Sequence, residues 1–380
     1  MKTQLGLILT VALAIAPYAK AADTLSAANG SSTADRREPA RPSVEVVFVI
    51  DTTSSMSGLI EGAKQRIWAI ANEISKGRPA PRVKMGLVAF KDKGDSYVTK
   101  VFDLSENLDN TYKDLMTLSA EGGGDGPEHV IAALDDAATK ISWSSDPKTF
   151  KVVYLVGDAP PHENYPEAPT LAAVMQKAVR RGLIVNSVQC GADGETTVAF
   201  NHIARLGEGR LLPVPQDGGM IAVATPFDGR MASLSAKLEG TGLAFGKAKF
   251  AARESGVLAA AVRGMASAPA AAERAEYKAR KGFDSESDLA SAVAENRVAL
   301  KDVKADELPD ALRDLPADKR AARLEEISNE RRTLKKEMDG LVLERASWLK
   351  TQSGAKRADS FDTRLVDALK VQAAKKGIVY

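Results

Sequence analysis

Between residues 43 and 214, runs of β-branched and aliphatic residues alternate with stretches of helical spacing. VEVVFVI (44–50) reads as a buried strand. Leu59, Ala63, Ile67, Ile70 and Ile74 then share one face of a helix, and VKMGLVAF (83–90) reads as the next strand. YVTKVFDL from Tyr97 predicts an extra strand, and Val130, Leu134, Ala137 and Ile141 carry helical spacing from Glu128 onward. KVVYLVG, a helix over Thr170–Arg181, LIVNSVQ, a helix ending at Gly207 and GRLLPV complete the series. Strands that are apolar throughout imply cover on both faces, hence a doubly wound, mostly parallel α/β sheet. Such sheets bind ligands beyond the carboxyl ends of their strands.

After about residue 240 the pattern changes to Ala, Lys, Arg and Glu, with no convincing strands. Leu324, Ile327, Arg331, Leu334, Met338, Leu341, Arg345 and Trp348 step by three and four residues. That spacing suits a coiled-coil seam with arginine at two a positions, and equally a long helix laying one stripe on a neighbour. Pro309 and Pro316 mark turns or helix entries before it, and Gly354 its end. Phe361 to Ala374 predicts one more amphipathic helix, able to fold back on the long one. The resulting organisation is a leader (1–21), a small, polar, disordered linker (22–42), the α/β domain (43–240), an Ala-rich charged helical connector (241–316) and amphipathic helices with a possible coiled coil (317–380).

The 380 residues carry 52 basic and 50 acidic side chains, a formal net charge of +2. A balance this even gives no argument for nucleic-acid binding. Met1-Lys2, an apolar run from Leu5 to Ala16 and Ala19-Lys20-Ala21 have the form of a secretory signal peptide cleaved after Ala21. The expected location is therefore periplasmic or secreted, without stable membrane insertion after cleavage. Cys190 is the single cysteine, which excludes an internal disulfide, and its place at the end of LIVNSVQC suits a core thiol.

Three loops at strand ends or helix starts concentrate oxygen ligands: Asp51-Thr52-Thr53-Ser54-Ser55, Gly122-Gly123-Gly124-Asp125-Gly126-Pro127-Glu128, and Gly157-Asp158-Ala159-Pro160-Pro161-His162. Asp51, Thr53 and Ser55 alternate, so one short loop can turn their oxygens toward a single point. Hydroxyls, two or three carboxylates and an open position suit Mg²⁺, with Mn²⁺ or Ca²⁺ as alternatives. His129, His162 and His202 are scattered and lack zinc-ligand spacing. Taken singly, each loop also has a duller use as a helix cap or turn.

In these residues the chain resembles the von Willebrand factor A (VWA) superfamily, whose metal-ion-dependent adhesion site (MIDAS) uses a D-x-[ST]-x-S loop after the first strand. The resemblance covers about residues 43 to 235 and implies a Rossmann-like VWA fold. It assigns Asp51, Thr53 and Ser55 to the first loop, Asp125 to the second and Asp158 to the third. Asp125 stands where most members have threonine. GGGDGPE and DAPPH are similar to the VWA modules found beside alpha-kinase domains and in related bacterial proteins. No kinase-like Gly-rich loop or catalytic lysine pattern follows residue 240.

The function this implies is non-enzymatic: a divalent cation completing its coordination with an acidic side chain of a protein partner. One alternative is a scaffold whose metal site is vestigial and which self-associates through its C-terminal helices. The other is a phosphatase-like hydrolase, which would need a D-x-D-x-[TV] motif. Thr53 replaces the second aspartate of that motif.

Overall fold

The computed structural model describes residues 41–124, 126–283, 286–352 and 359–380. The expected signal peptide, most of the linker, Asp125 and the helix end at Gly354 lie outside the described residues.

Six strands form one sheet: β1 (Ser43–Asp51), β2 (Arg82–Phe90), β3 (Thr99–Ser105), β4 (Phe150–Gly157), β5 (Leu183–Cys190) and β6 (Glu208–Val214). Their order is β3-β2-β1-β4-β5-β6, with every neighbouring pair parallel except β2 and β3. The antiparallel strand therefore sits at an edge, where its half-buried residues meet solvent. β1 has β2 on one side and β4 on the other, so the sheet changes winding direction at β1 and β4. The crevice beyond their carboxyl ends receives Asp51 and Asp158.

Helices cover both faces: α1 (Ser57–Ser75), α2 (Leu108–Met116), α3 (Val130–Thr139), α4 (Leu171–Arg180) and α5 (Gly194–Leu206). Val47, Val49, Val153 and Leu155 point to the α3–α4–α5 side, while Val46, Phe48, Ile50, Val152 and Tyr154 point to the α1 side. This two-sided burial explains why β1 is apolar from Val46 to Ile50 and β4 from Val152 to Val156. α3 begins at Val130, two residues later than its periodicity predicts. Glu128 is held extended instead, its amide donating to the Pro160 carbonyl and its carbonyl accepting from His162.

Beyond β6 come α6 (Asp228–Gly240), α7 (Ala248–Met265), α8 (Ala268–Lys281), α9 (Leu289–Ala294), α10 (Asp310–Arg313), α11 (Ala317–Gln352) and α12 (Phe361–Ala373). Residues 41–380 group as one compact unit. The stripe on α11 is occupied within the chain. Met338 and Leu341 pack with α6 and α8, and Leu324 and Ile327 pack with Leu243, Leu289, Leu308 and Leu312. The two seam arginines have acidic partners there: Arg331 binds Asp288 at 2.8 and 2.9 Å, and Arg345 binds Asp228 at 2.9 Å. The stripe thus packs on neighbouring helices of its own chain, the second of the two arrangements its spacing allows.

α12 differs from expectation in its partner. It lies on the sheet beside α1 rather than on α11, with Phe361, Leu365 and Leu369 in the same core as Phe48, Ile50 and Tyr154. The Tyr154 hydroxyl donates to the Leu365 carbonyl at 3.1 Å, and the side-chain amides of Asn186 and Gln372 exchange two hydrogen bonds. Among the described residues no helix is long and apolar enough to cross a membrane.

Candidate metal centre

β1 carries Asp51 to the carboxyl edge of the sheet, where the chain leaves regular pairing. Thr52 is fastened away from the crevice. Its amide and hydroxyl donate to the Phe90 carbonyl at 2.9 and 2.8 Å, and the hydroxyl meets Tyr97 Oη at 2.6 Å. Asp51, Thr53 and Ser55 are left to face one another. The Thr53 amide and hydroxyl both donate to Asp51 Oδ1, at 2.8 and 2.7 Å, and Thr53 Oγ1 lies 3.5 Å from Ser55 Oγ.

The Gly-rich loop lies against this one. Ser54 donates its amide and hydroxyl to the Gly122 carbonyl at 3.3 and 2.8 Å, and the Glu121 amide donates to the Thr52 carbonyl at 3.1 Å. Gly122 must be glycine: its φ is +80°, and a Cβ there would stand 2.3 Å from Asp95 Oδ1. Asp95 in turn accepts from the Gly123 amide at 3.1 and 3.2 Å. Asp125, the expected ligand of this loop, lies outside the described residues.

The third loop follows β4. Gly157 sits beside Asp51, and Asp158 is one of the charges acting on it. The Asp158 carbonyl accepts from Thr196 Oγ1 at 3.0 Å, and its Oδ2 accepts from Gln216 Nε2 at 2.6 Å. The Gln216 amide also reaches the Ser55 carbonyl at 3.4 Å. The structure therefore brings Asp51, Thr53 and Ser55 into direct contact, and Asp158 into their electrostatic neighbourhood.

Four further groups belong to the site and were not assigned as ligands from the sequence. Glu128 is 3 % exposed. Oε1 of its carboxyl lies 3.9 Å from where a Cβ on Gly123 would stand. Gln216 comes from the loop after β6, far away in sequence. Lys91, fully buried, donates to the Thr52 and Glu121 carbonyls. Asp92 accepts from the Tyr165 hydroxyl on both oxygens, at 2.8 and 2.7 Å, with His162 Nε2 3.5 Å away. His129 and His162 each pack on the Tyr165 ring at 4.7 Å, which makes them part of the rim. Only Glu128 carried a signal, since it sits in the singled-out GGGDGPE segment where it resembles a helix-start residue.

Burial pushes the Asp51 carboxyl up to about 6, with Asp158 adding to the rise while the Thr53 hydrogen bonds and Lys91 oppose it. Glu128 is pushed up to about 9 by burial and by Asp51, Asp92, Asp95 and Asp158. Burial also pushes the Cys190 thiol well up, as suits a core residue.

The donor set fits a hard divalent cation. Asp51 Oδ2 and Glu128 Oε2 are buried with no hydrogen-bond partner among the described residues. A buried acceptor without a donor costs about 1–3 kcal/mol, more when charged, and a cation at the crevice would relieve that cost. Among the described residues no group of three or more His, Cys, Asp and Glu is placed to hold a metal. The chemistry here is instead mixed hydroxyl and carboxylate.

Residues 45–195, from β1 into α5, match the sequence profile of the von Willebrand factor A domain. The chain carries a von Willebrand factor A domain. It is 27 % identical over 120 residues to the alpha-protein kinase vwkA of Dictyostelium discoideum, a match covering 31 % of this chain and 19 % of the kinase. Over 124 residues it is 32 % identical to the von Willebrand factor A domain-containing protein 7 of Rattus norvegicus, covering 33 % of this chain and 13 % of that protein. The match thus spans less than a fifth of either relative. Among solved structures, proximal thread matrix protein 1 from the mussel byssus, with a zinc-occupied MIDAS motif, aligns at 18 % identity and TM-score 0.36, covering 47 % of this chain and 43 % of that one. The VWA match lies on the sheet and its crevice, so Asp51, Thr53, Ser55 and Asp158 all fall inside it.

Proposed function

We propose that this VWA domain binds a divalent cation through Asp51, Thr53, Ser55 and Asp158, with Asp125 from the Gly-rich loop. The bound cation then captures an acidic side chain of a protein partner. The observation that carries this reading is the Asp51 carboxyl, whose Oδ1 is fixed by Thr53 while Oδ2 stays buried and without a partner. A carboxylate so oriented is prepared for a metal, and the adjacent hydroxyls supply oxygens of the kind that Mg²⁺, Mn²⁺ and Ca²⁺ take. The cation supplies charge and an open coordination position. The protein's own groups orient the ligands and exclude water from Asp51. On this reading the protein is a binding module rather than an enzyme, and the signal-peptide form of residues 1–21 supports a periplasmic or secreted location.

Calorimetric titration of the metal-stripped full chain with Mg²⁺, Mn²⁺ and Ca²⁺, beside Asp51→Ala, tests the first half. Saturable one-site binding abolished by the substitution is expected; no binding in the wild-type chain overturns the reading. For the second half, water-proton relaxation of the Mn²⁺-loaded protein is followed as a glutamate-rich peptide is added. Loss of relaxation enhancement as a coordinated water is displaced is expected, and an unchanged signal at millimolar peptide refutes carboxylate capture.

A further inference from the structure

The geometry points to Lys91 as an internal cation that pins the D-x-T-x-S loop to the Gly-rich loop, so that the two stand in register before any metal arrives. Lys91 follows directly on β2, and its side chain runs inward rather than into solvent, with 0 % exposure. Its ammonium donates to two main-chain carbonyls. One belongs to Thr52, between Asp51 and Thr53, and the other to Glu121, which leads into Gly122-Gly123-Gly124. The Tyr97 ring lies 5.4 Å from the ammonium and closes one side of it.

Few arrangements explain a lysine with no solvent, because burying an ammonium is costly unless it is paired and hydrogen-bonded. Here the compensation is double. The two carbonyls accept hydrogen bonds from it, and Asp51, Asp95 and Glu121 supply negative charge nearby. The contacts fall on the main chain of both loops rather than on the carboxylates. Lys91 therefore fixes where the loops lie and leaves the candidate ligand oxygens available. The cross-loop bonds from the Ser54 amide to Gly122 and from the Glu121 amide to Thr52 flank the ammonium and report on the same junction. Lys91 is a positioning residue: it keeps the Asp51–Ser55 loop and the 121–124 segment at fixed separation, which lowers the ordering cost that cation binding would otherwise carry.

This inference rests on the proposed cation site for its functional sense, while its structural part can be tested alone. The two possible roles of Lys91 have opposite signs. As a mere neighbouring charge it repels a cation, so Lys91→Met, which keeps the stem and removes the ammonium, would tighten cation binding. As a pin it does the reverse. In a folded Lys91→Met chain, Mn²⁺ affinity is expected to fall at least tenfold, and the Ser54 and Glu121 amides to lose at least tenfold of their hydrogen-exchange protection; equal or tighter affinity with protection intact overturns the inference. Should the variant not fold, the wild-type chain decides. Protection of both amides in EDTA is expected within fivefold of that in Mn²⁺, whereas a larger gain on adding Mn²⁺ means that the metal assembles the loops and Lys91 does not. If the wild-type chain binds no cation at all, the proposed function fails, and the exchange comparison still settles the pin.

Discussion

Thr53 donates both its amide and its hydroxyl to one oxygen of Asp51, at 2.8 and 2.7 Å, and leaves the other oxygen without a partner. The hydroxyl has two roles in this arrangement, orienting the carboxylate and offering an oxygen toward Ser55. Thr53→Ala removes both, and cation affinity is expected to fall by at least tenfold. Thr53→Ser keeps the hydroxyl and should stay within about threefold of wild type. Calorimetry on the two variants separates the hydroxyl from the bulk of the side chain, and equal loss in both would refute the assignment.

The raised carboxyls give the metal-free protein a pH dependence with a definite sign. Asp51 stands at about 6 against an ordinary 3.8, and Glu128 at about 9 against 4.5, so the native state holds more protons than the unfolded chain between those values. Where the native state binds more protons, stability falls as pH rises. The contribution is therefore complete below about pH 4 and is lost through pH 6 for Asp51 and through pH 9 for Glu128. In EDTA the melting temperature should decline from pH 5 to pH 8, and Asp51→Asn should flatten the lower part of that decline. A cation reverses the slope, because it binds the deprotonated carboxylates. Deprotonation of Asp51 should raise its affinity about fourfold from pH 5.5 to 7.5, with proton release visible as a buffer-dependent binding enthalpy. A pH-independent affinity would contradict the assignment of Asp51 as a ligand.

Arg331 ties α11 to the helix-rich part of the chain through a dense polar contact. Its guanidinium reaches both oxygens of Asp288, the Thr241 hydroxyl and the Thr241 carbonyl, and lies 4.0 Å from the Phe283 ring. Burial alone would raise the Asp288 carboxyl, yet Arg331 and the amides of Leu243 and Ser291 hold it below the usual range. Removing one partner of a buried pair leaves the other charge uncompensated, at about 3–5 kcal/mol. Arg331→Met should accordingly lower the melting temperature by roughly 5–10 °C. The double variant Arg331→Met, Asp288→Asn should recover a large part of that loss. Additive losses in the double-mutant cycle would show that the pair is not coupled.

The central strands were legible from their largely apolar runs, and β1, β4 and β5 end where those runs end. α2 was not, since Asp109, Asn110 and Lys113 interrupt a short segment whose apolar residues find their partners only in the folded core. In the site, Asp51, Thr53 and Ser55 could be read from local alternation, and Asp158 from the end of a strand. Lys91 and Gln216 could not. Lys91 heads a polar run that looks like a solvated turn, and Gln216 reaches Ser55 across 161 residues and Asp158 across 58. Glu128 was hidden by its own helix-start position. The two arginines in the α11 stripe follow the same logic, because their acidic partners lie 43 and 117 residues upstream. Long-range polar pairing leaves no periodic trace.

The placement of α12 bears on how the VWA domain can be isolated. Residues 43–240 contain all six strands of the sheet, yet the sheet face around Phe48, Ile50, Val152 and Tyr154 is completed by Phe361, Leu365 and Leu369, and Trp68 on α1 packs on Tyr277 of α8. Arg66 on α1 adds a polar tie, bonding Asp362 of α12 and Glu273 of α8. Cutting the chain at residue 240 exposes that apolar face and strands Arg66. Each large side chain so uncovered forfeits about 1.5–3 kcal/mol, and total stabilities are only about 5–15 kcal/mol. A 43–240 fragment should therefore bind a hydrophobic dye and lack a cooperative melt, and so should a chain ending at residue 352. Residues 41–380 should melt as one transition. A cooperative 43–240 fragment would show that the later helices only decorate the sheet, and any cation titration could then be carried out on that shorter piece.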